Sequence, residues 1–318
     1  MTKRPFRFGL GLFSVDPATF ATDAKAIETE GWSTLLIPDH LTLDQAAPLP
    51  ALAAAAALTE RLRLGTFVLN NDLRHPAVLA QEAATVDLIS NGRLELGLGA
   101  GWNQPEYTAI GRDFEPAGRR IERLEESLAV LKGLFADGRF SFDGKHYRIE
   151  AMDGLPKPFQ RPHPPLLIGG GGRRLLSLAG RQADIVGFAP RLPRHDTPDT
   201  RSMTLDALEE KVGWVREAAG ERYREIELNT YEVGAPVVVT DQARPEARRW
   251  MDQLRSAWGG MEMSEDDFLA SPHTFIGSRD QLCEKLQMLR ERFDISYVMV
   301  RPRSRAAFLP VLERLAGT

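Results

Sequence analysis

Leu62-Arg63-Leu64-Gly65-Thr66-Phe67-Val68-Leu69 is an apolar run, Pro76 to Ile89 a helical pattern, and Leu94-Glu95-Leu96-Gly97-Leu98 a second apolar run. Pro76 suits a first helical position, Leu79, Ala83 and Val86 share one face, and Asn91-Gly92 ends the helix. Two strands separated by a helix pair in parallel through a right-handed crossover. Both runs are apolar along their length, as expected when both faces of a sheet are covered.

The same alternation extends to both ends of the chain. Upstream lies Phe8–Phe13, then a helix that Asp16 and Pro17 open and that reaches about Gly31. Leu35–Ile37 follows and ends at Pro38-Asp39-His40; Leu49–Leu58 is an alanine-rich helix. Downstream, Ile121, Leu124, Leu128, Leu131 and Phe135 recur at helical spacing. Residues 139–150 read as a hairpin turning at Phe142-Asp143-Gly144-Lys145. The fifth and sixth runs are Leu166–Ile168 and Ile185–Phe188; the seventh lies within Ile226–Val239 and the eighth is Tyr297–Val300. Helical patterns separate them, one opened by a capping box of Ser278 and Gln281.

Eight strand-and-helix units predict a (β/α)8 TIM barrel, favoured by count and length over an open doubly wound sheet. The reading is one domain over 1–318, with the hairpin as an excursion. Irregular insertions near 101–118 and 189–203 follow the fourth and sixth strands. They fall at the C-terminal face, where barrel enzymes keep their sites.

The chain has 318 residues, 40 basic and 44 acidic, for a net charge of −4. That balance argues against a nucleic-acid protein, which usually carries a basic excess. The single cysteine, Cys283, excludes a disulfide framework and a cysteine-rich zinc site. The longest apolar run, Ala51–Leu58, is far short of the ~20 residues of a membrane span. Lys3, Arg4 and Arg7 before Phe8–Phe13 mimic a signal peptide, but Gly9, Gly11, Ser14 and Asp16 favour a first strand. A cytoplasmic location is the expectation. The histidines are scattered, so no metal site is expected.

Gly97-Leu98-Gly99-Ala100-Gly101 invites a dinucleotide-binding reading, but Trp102 occupies its last glycine position and Pro105 follows. Two other features point to chemistry. His40, beside Asp39 at the end of the second strand, suits general acid–base work, or is a loop histidine bonded for structure. Gly169-Gly170-Gly171-Gly172-Arg173-Arg174 opens a helix, whose free N–H groups and positive end suit a phosphate; the alternative is a βα loop with solvated arginines.

The stretch from Leu62 to Trp102, with Asp39-His40, Pro164–Gly170 and Ala183–Val186, resembles the luciferase-like family of flavin- and deazaflavin-dependent barrel oxidoreductases, in particular its coenzyme F420-dependent branch. The resemblance is weakest over 190–275. It implies a cofactor ring near the second to fourth strands, contacted by Asp39 and His40, with His40 catalytic. It implies a non-proline cis peptide at Phe67–Val68 behind the ring, with Asn70 beside it, ring contacts from Ala100 and Gly101, and a phosphate held by Gly171, Gly172 and Arg173. Trp102 stands where F420-dependent sugar-phosphate dehydrogenases carry a catalytic glutamate, which argues against that activity; Glu106 is nearby, but is not assigned the same task.

Three functions follow. One is hydride transfer between coenzyme F420 and a small organic substrate, one a two-component monooxygenase using reduced FMN and a separate reductase, and one a non-catalytic flavin-binding protein. His40 speaks against the last. The sequence is silent on oligomeric state, although members of the family often form homodimers.

Overall fold

A computed structural model describes residues 3–192 and 197–318. Its core is a closed barrel of eight parallel strands: β1 (Arg7–Gly11), β2 (Thr34–Ile37), β3 (Arg63–Thr66), β4 (Leu94–Gly99), β5 (Leu166–Gly170), β6 (Ile185–Phe188), β7 (Glu227–Tyr231) and β8 (Ile295–Val300). β8 pairs with β1, Phe8 opposite Val298, and β3 closes onto β4, Leu64 opposite Leu94. Helices follow the strands and cover them with Leu52, Ala83, Leu128, Leu176, Val215 and Leu286, all buried. The anticipated barrel is therefore the observed one. Among the described residues no helix is long and apolar enough to cross a membrane.

One local reading changes and two gain detail. The first helix begins at Phe20, not at Pro17. Asp16 caps a turn instead: its carboxylate accepts from Ala18 N (2.8 Å) and its carbonyl from Phe20 N (2.8 Å). The third apolar run is broken by a cis peptide between Phe67 and Val68, as the family resemblance implied, and a two-residue strand, Leu69–Asn70, then pairs with the end of β4. Within 226–239 only Glu227–Tyr231 joins the barrel; Val238–Val239 pairs with Ile276–Gly277 outside it. The hairpin is antiparallel, Arg139–Asp143 against Arg148–Asp153.

The N-terminal end of the barrel is plugged by charge. Arg7 donates to Glu95 (2.6 Å) and Glu227 (2.5 Å), Arg63 to Glu95 (2.5 Å), and the Arg7 guanidinium lies over the Tyr297 ring. Glu95 is fully enclosed, yet the two guanidiniums hold its carboxyl below the usual range against the cost of burial. A closed floor leaves the other end as the place for a site.

At the opposite end, His273 is buried behind β7. Its Nδ1 lies 3.0 Å from the Tyr231 carbonyl, which only accepts, so the ring is the Nδ1–H tautomer. Burial pushes its pKa down to about 3, with nearby Lys211 adding to the shift. An unfolded histidine titrates near 6.5, so this contribution is present above about pH 6.5 and lost as pH falls towards 3. Chemical denaturation at pH 7 and pH 4 checks this. Wild type should lose on the order of 3 kcal/mol more than His273→Gln between those values. Parallel losses would mean that the folded protein accommodates the charged ring.

Candidate active site

The C-terminal ends of the strands surround a cleft of about 1260 Å³. Asp39, His40, Phe67, Val68, Asn70, Ala100, Gly101, Gly171, Gly172 and Arg173 all line it, so the fold brings together every residue singled out in the sequence.

His40 does not pair with its neighbour Asp39. Its Nδ1 lies 2.7 Å from the carboxylate of Glu106, 66 positions away, which also accepts from Leu41 N (3.2 Å). Glu106 is 1% exposed and sits in the first turn of a short helix, Gln104–Ala109, with Pro105 at its start. A carboxylate only accepts, so Nδ1 carries hydrogen and Nε2 is the nitrogen left for the cleft. The Trp102 ring stands edge-on to the imidazole at 5.3 Å. The glutamate carboxylate at this corner thus comes from position 106, reached over one turn of helix, while position 102 supplies an aromatic wall.

Asp39 has a different task. Its carboxylate takes both ends of the Arg74 guanidinium, 2.5 and 3.1 Å, and accepts from Asn70 N at 3.0 Å. A bidentate, charge-assisted pair is directional. It ties the backbone after Val68 to the end of β2. Setting the tautomer of His40 therefore falls to Glu106.

A second network holds the loop after β4. Tyr107 OH lies 3.1 Å from both Asn70 Oδ1 and Asp72 Oδ2, and Asp72 pairs with Arg123 at 2.9 Å. Burial and the Asp72 charge drive the phenol pKa well up, so it stays a donor. Arg120, 6% exposed, donates to the carbonyls of Ala100 (3.1 Å) and Gly101 (3.2 Å). Tyr107, Arg74 and Arg120 are residues the sequence reading passed over, and Glu106 is one it noted without a role. Only Pro105, a first-turn proline, hinted at the short helix that carries two of them.

The glycine loop after β5 ends at Gly172, which caps the helix Arg173–Gln182 without any side-chain bond. The first N–H groups of that helix keep their need for an acceptor. A Cβ at Gly172 would meet nothing within 4 Å, whereas one at Gly171 would stand 2.6 Å from Ala189 O. Gly172 thus leaves room beside the helix end, and Gly171 admits the neighbouring loop. Arg173 is paired with Glu217 at 3.3 Å on the exposed surface, a contact weak enough to give up. This open, uncapped end with an arginine beside it fits a phosphate. Across the cleft, Phe67 and Val68 offer apolar contact for a flat ring.

The model of the luciferase-like monooxygenase family matches residues 12–294. The chain belongs to that family. It is 34% identical over 236 residues to an F420-dependent glucose-6-phosphate dehydrogenase of Nakamurella multipartita, covering 71% of this chain and 67% of that one. It is 36% identical over 131 residues to an FMNH2-dependent dimethylsulfone monooxygenase of Pseudomonas putida, over 41% of this chain and 36% of that enzyme. Among solved structures, coenzyme F420-dependent tetrahydromethanopterin reductase from Methanopyrus kandleri superposes with a TM-score of 0.75 at 18% identity, covering 98% of each chain. At that identity the likeness speaks for the fold alone.

Proposed function

We propose that this chain transfers a hydride between coenzyme F420 and a small organic substrate, with His40 moving the accompanying proton. The observation that carries this is the 2.7 Å contact between His40 Nδ1 and a buried Glu106 at the mouth of the barrel. It leaves Nε2 as base when bare and acid when protonated. Bound in the cleft, F420 would supply a carbon centre that takes or gives a hydride. Phe67, Val68, Ala100 and Gly101 would flank its ring, and Gly171, Gly172 and Arg173 would hold its phosphate. Asp39 fixes the backbone beside the ring through Arg74 and Asn70. Glu106 keeps the imidazole in one tautomer and one orientation. Trp102 in place of an acidic residue argues against a sugar phosphate as substrate.

The second reading is an FMNH2-dependent monooxygenase served by a separate flavin reductase, favoured by the similarity to the dimethylsulfone enzyme. A titration of the protein with F420 and FMN, each oxidised and reduced, separates the two. F420 should bind in both redox states and more tightly than FMN. Tight binding of reduced FMN alone would establish the second reading. Arg173→Glu puts a like charge at the phosphate and should weaken F420 more than tenfold, about 1.4 kcal/mol. Unchanged affinity would move the phosphate elsewhere.

A further inference from the structure

Arg301 follows the last residue of β8, and its side chain lines the cleft. Its Nε is buried without a hydrogen-bond partner, and among the described residues its guanidinium forms no hydrogen bond or ion pair. Among the described residues, the carboxylate that acts on it, fully buried Glu232, is already committed. One oxygen accepts from Arg303 Nε (3.0 Å), the other from the backbone N of Arg301 (3.1 Å). Glu232 is thus paired with the Arg303 guanidinium, and among the described residues the Arg301 guanidinium, which lines the cleft, has no carboxylate bonded to it. Among the described residues, the acidic groups lining the cleft are occupied: Asp39 by Arg74, Glu106 by His40, Asp199 by Arg191 and Arg201. Arginine stays protonated when desolvated, and a buried unpaired charge is tolerated only if something answers it.

Position says what answers it. Arg301 is three strands round the barrel from the glycine loop on β5 and two from His40 on β2. The cofactor proposed above occupies the β2–β5 side, so Arg301 stands over the remaining space, where the substrate must lie. Tyr231, Val233, Leu254 and Met299 line that side with largely apolar surface. We infer that Arg301 is a specificity-determining residue that receives the carboxylate of an organic monoanion, whose apolar remainder packs against Tyr231 and Met299. One uncompensated guanidinium, with two N–H groups in a planar fork, matches one carboxylate in charge and shape. A dianionic phosphate would call for a second free cation at that corner. The inference rests on the proposed placement of the cofactor.

Titration of the full chain with benzoate and with its neutral counterpart benzamide tests it, read by quenching of the cleft tryptophans Trp102 and Trp258. Benzoate should bind at least tenfold more tightly than benzamide. Arg301→Gln should abolish that preference, leaving benzamide unchanged, and Arg301→Lys should restore part of it. Equal binding of the two probes to wild type would overturn the inference without recourse to any variant. So would an Arg301→Gln protein, folded by circular dichroism, that keeps the benzoate preference. Repeating the titration with F420 present separates this inference from the proposed function. Benzoate should bind beside F420, whose affinity Arg301→Gln should leave within a few-fold. Displacement of F420 by benzoate, with F420 affinity lost in Arg301→Gln, would assign Arg301 to the cofactor and overturn the inference. Failure of F420 to bind at all would sink the proposed cofactor, while the benzoate preference would still be read on its own.

Discussion

His40→Ala should lower turnover about 10²–10⁴-fold while F420 affinity stays within a few-fold. The loss is that of a group at the reacting atoms, not of a wall of the pocket. His40→Asn separates those roles. Asparagine keeps polarity and part of the volume but cannot relay a proton, so it should be nearly as slow as alanine. Near-wild-type turnover in His40→Asn would end the acid–base assignment. Glu106 acts through His40 and makes a sharper test of the geometry. Glu106→Gln can still accept from Nδ1–H through its amide oxygen, but no longer balances an imidazolium with charge. Turnover should fall on the order of tenfold to a hundredfold. The two changes should not add: in His40→Ala the carboxylate has nothing to orient, so the double variant should be no slower than His40→Ala alone. Additive losses would mean that Glu106 serves the reaction independently of the histidine. Steady-state turnover of the four proteins, with a cofactor titration beside it, settles the matter once a substrate is found.

The barrel could be read from the chain because its strands are short, apolar on both faces and separated by periodic helices. Each unit repeats a local signal, as Leu62–Leu98 does. The capping box at Ser278 and the hairpin at 139–150 were legible for the same reason, since their bonds run between near neighbours. Asp16 misled because an aspartate that starts a helix and one that starts a turn carry the same composition. The site was legible in membership and not in wiring. A glutamate 66 residues downstream holds His40, and an arginine 35 residues downstream holds Asp39. Neither distance leaves a mark in a linear pattern, and the helix carrying Glu106 is too short for periodicity to show. At Gly171 the chain has a second reason for glycine that the pattern did not show: the carbonyls of Ala189 and Pro190 leave no room for a side chain there.

Gly101→Ala should be among the most destabilising single methyl additions in this protein. Gly101 has φ +77°, a left-handed conformation that costs a residue with a Cβ roughly 1–2 kcal/mol. The new Cβ would also stand 2.0 Å from Tyr107 OH and 2.6 Å from Asn70 Oδ1. Neither neighbour can yield cheaply. Tyr107 is fully buried and bonded to Asn70 and Asp72, and Asp72 is held by Arg123. Overpacking of this kind typically adds 1–3 kcal/mol, for a total of about 2–5 kcal/mol. Gly138→Ala isolates the second part: its φ is +87°, but a Cβ there meets nothing within 4 Å, so only the conformational cost of about 1–2 kcal/mol should appear. The difference between the two variants in chemical denaturation measures the packing around Tyr107. Tyr107→Phe in the Gly101→Ala background should recover part of it by removing the closest atom, although Asn70 still crowds the site. Because the same displacement moves Asn70 and the loop that presents Ala100, F420 affinity should fall in Gly101→Ala and stay at wild-type level in Gly138→Ala. Equal destabilisation by both alanines, with cofactor affinity untouched, would mean that the Tyr107–Asn70 contact gives way freely and does not support the cleft.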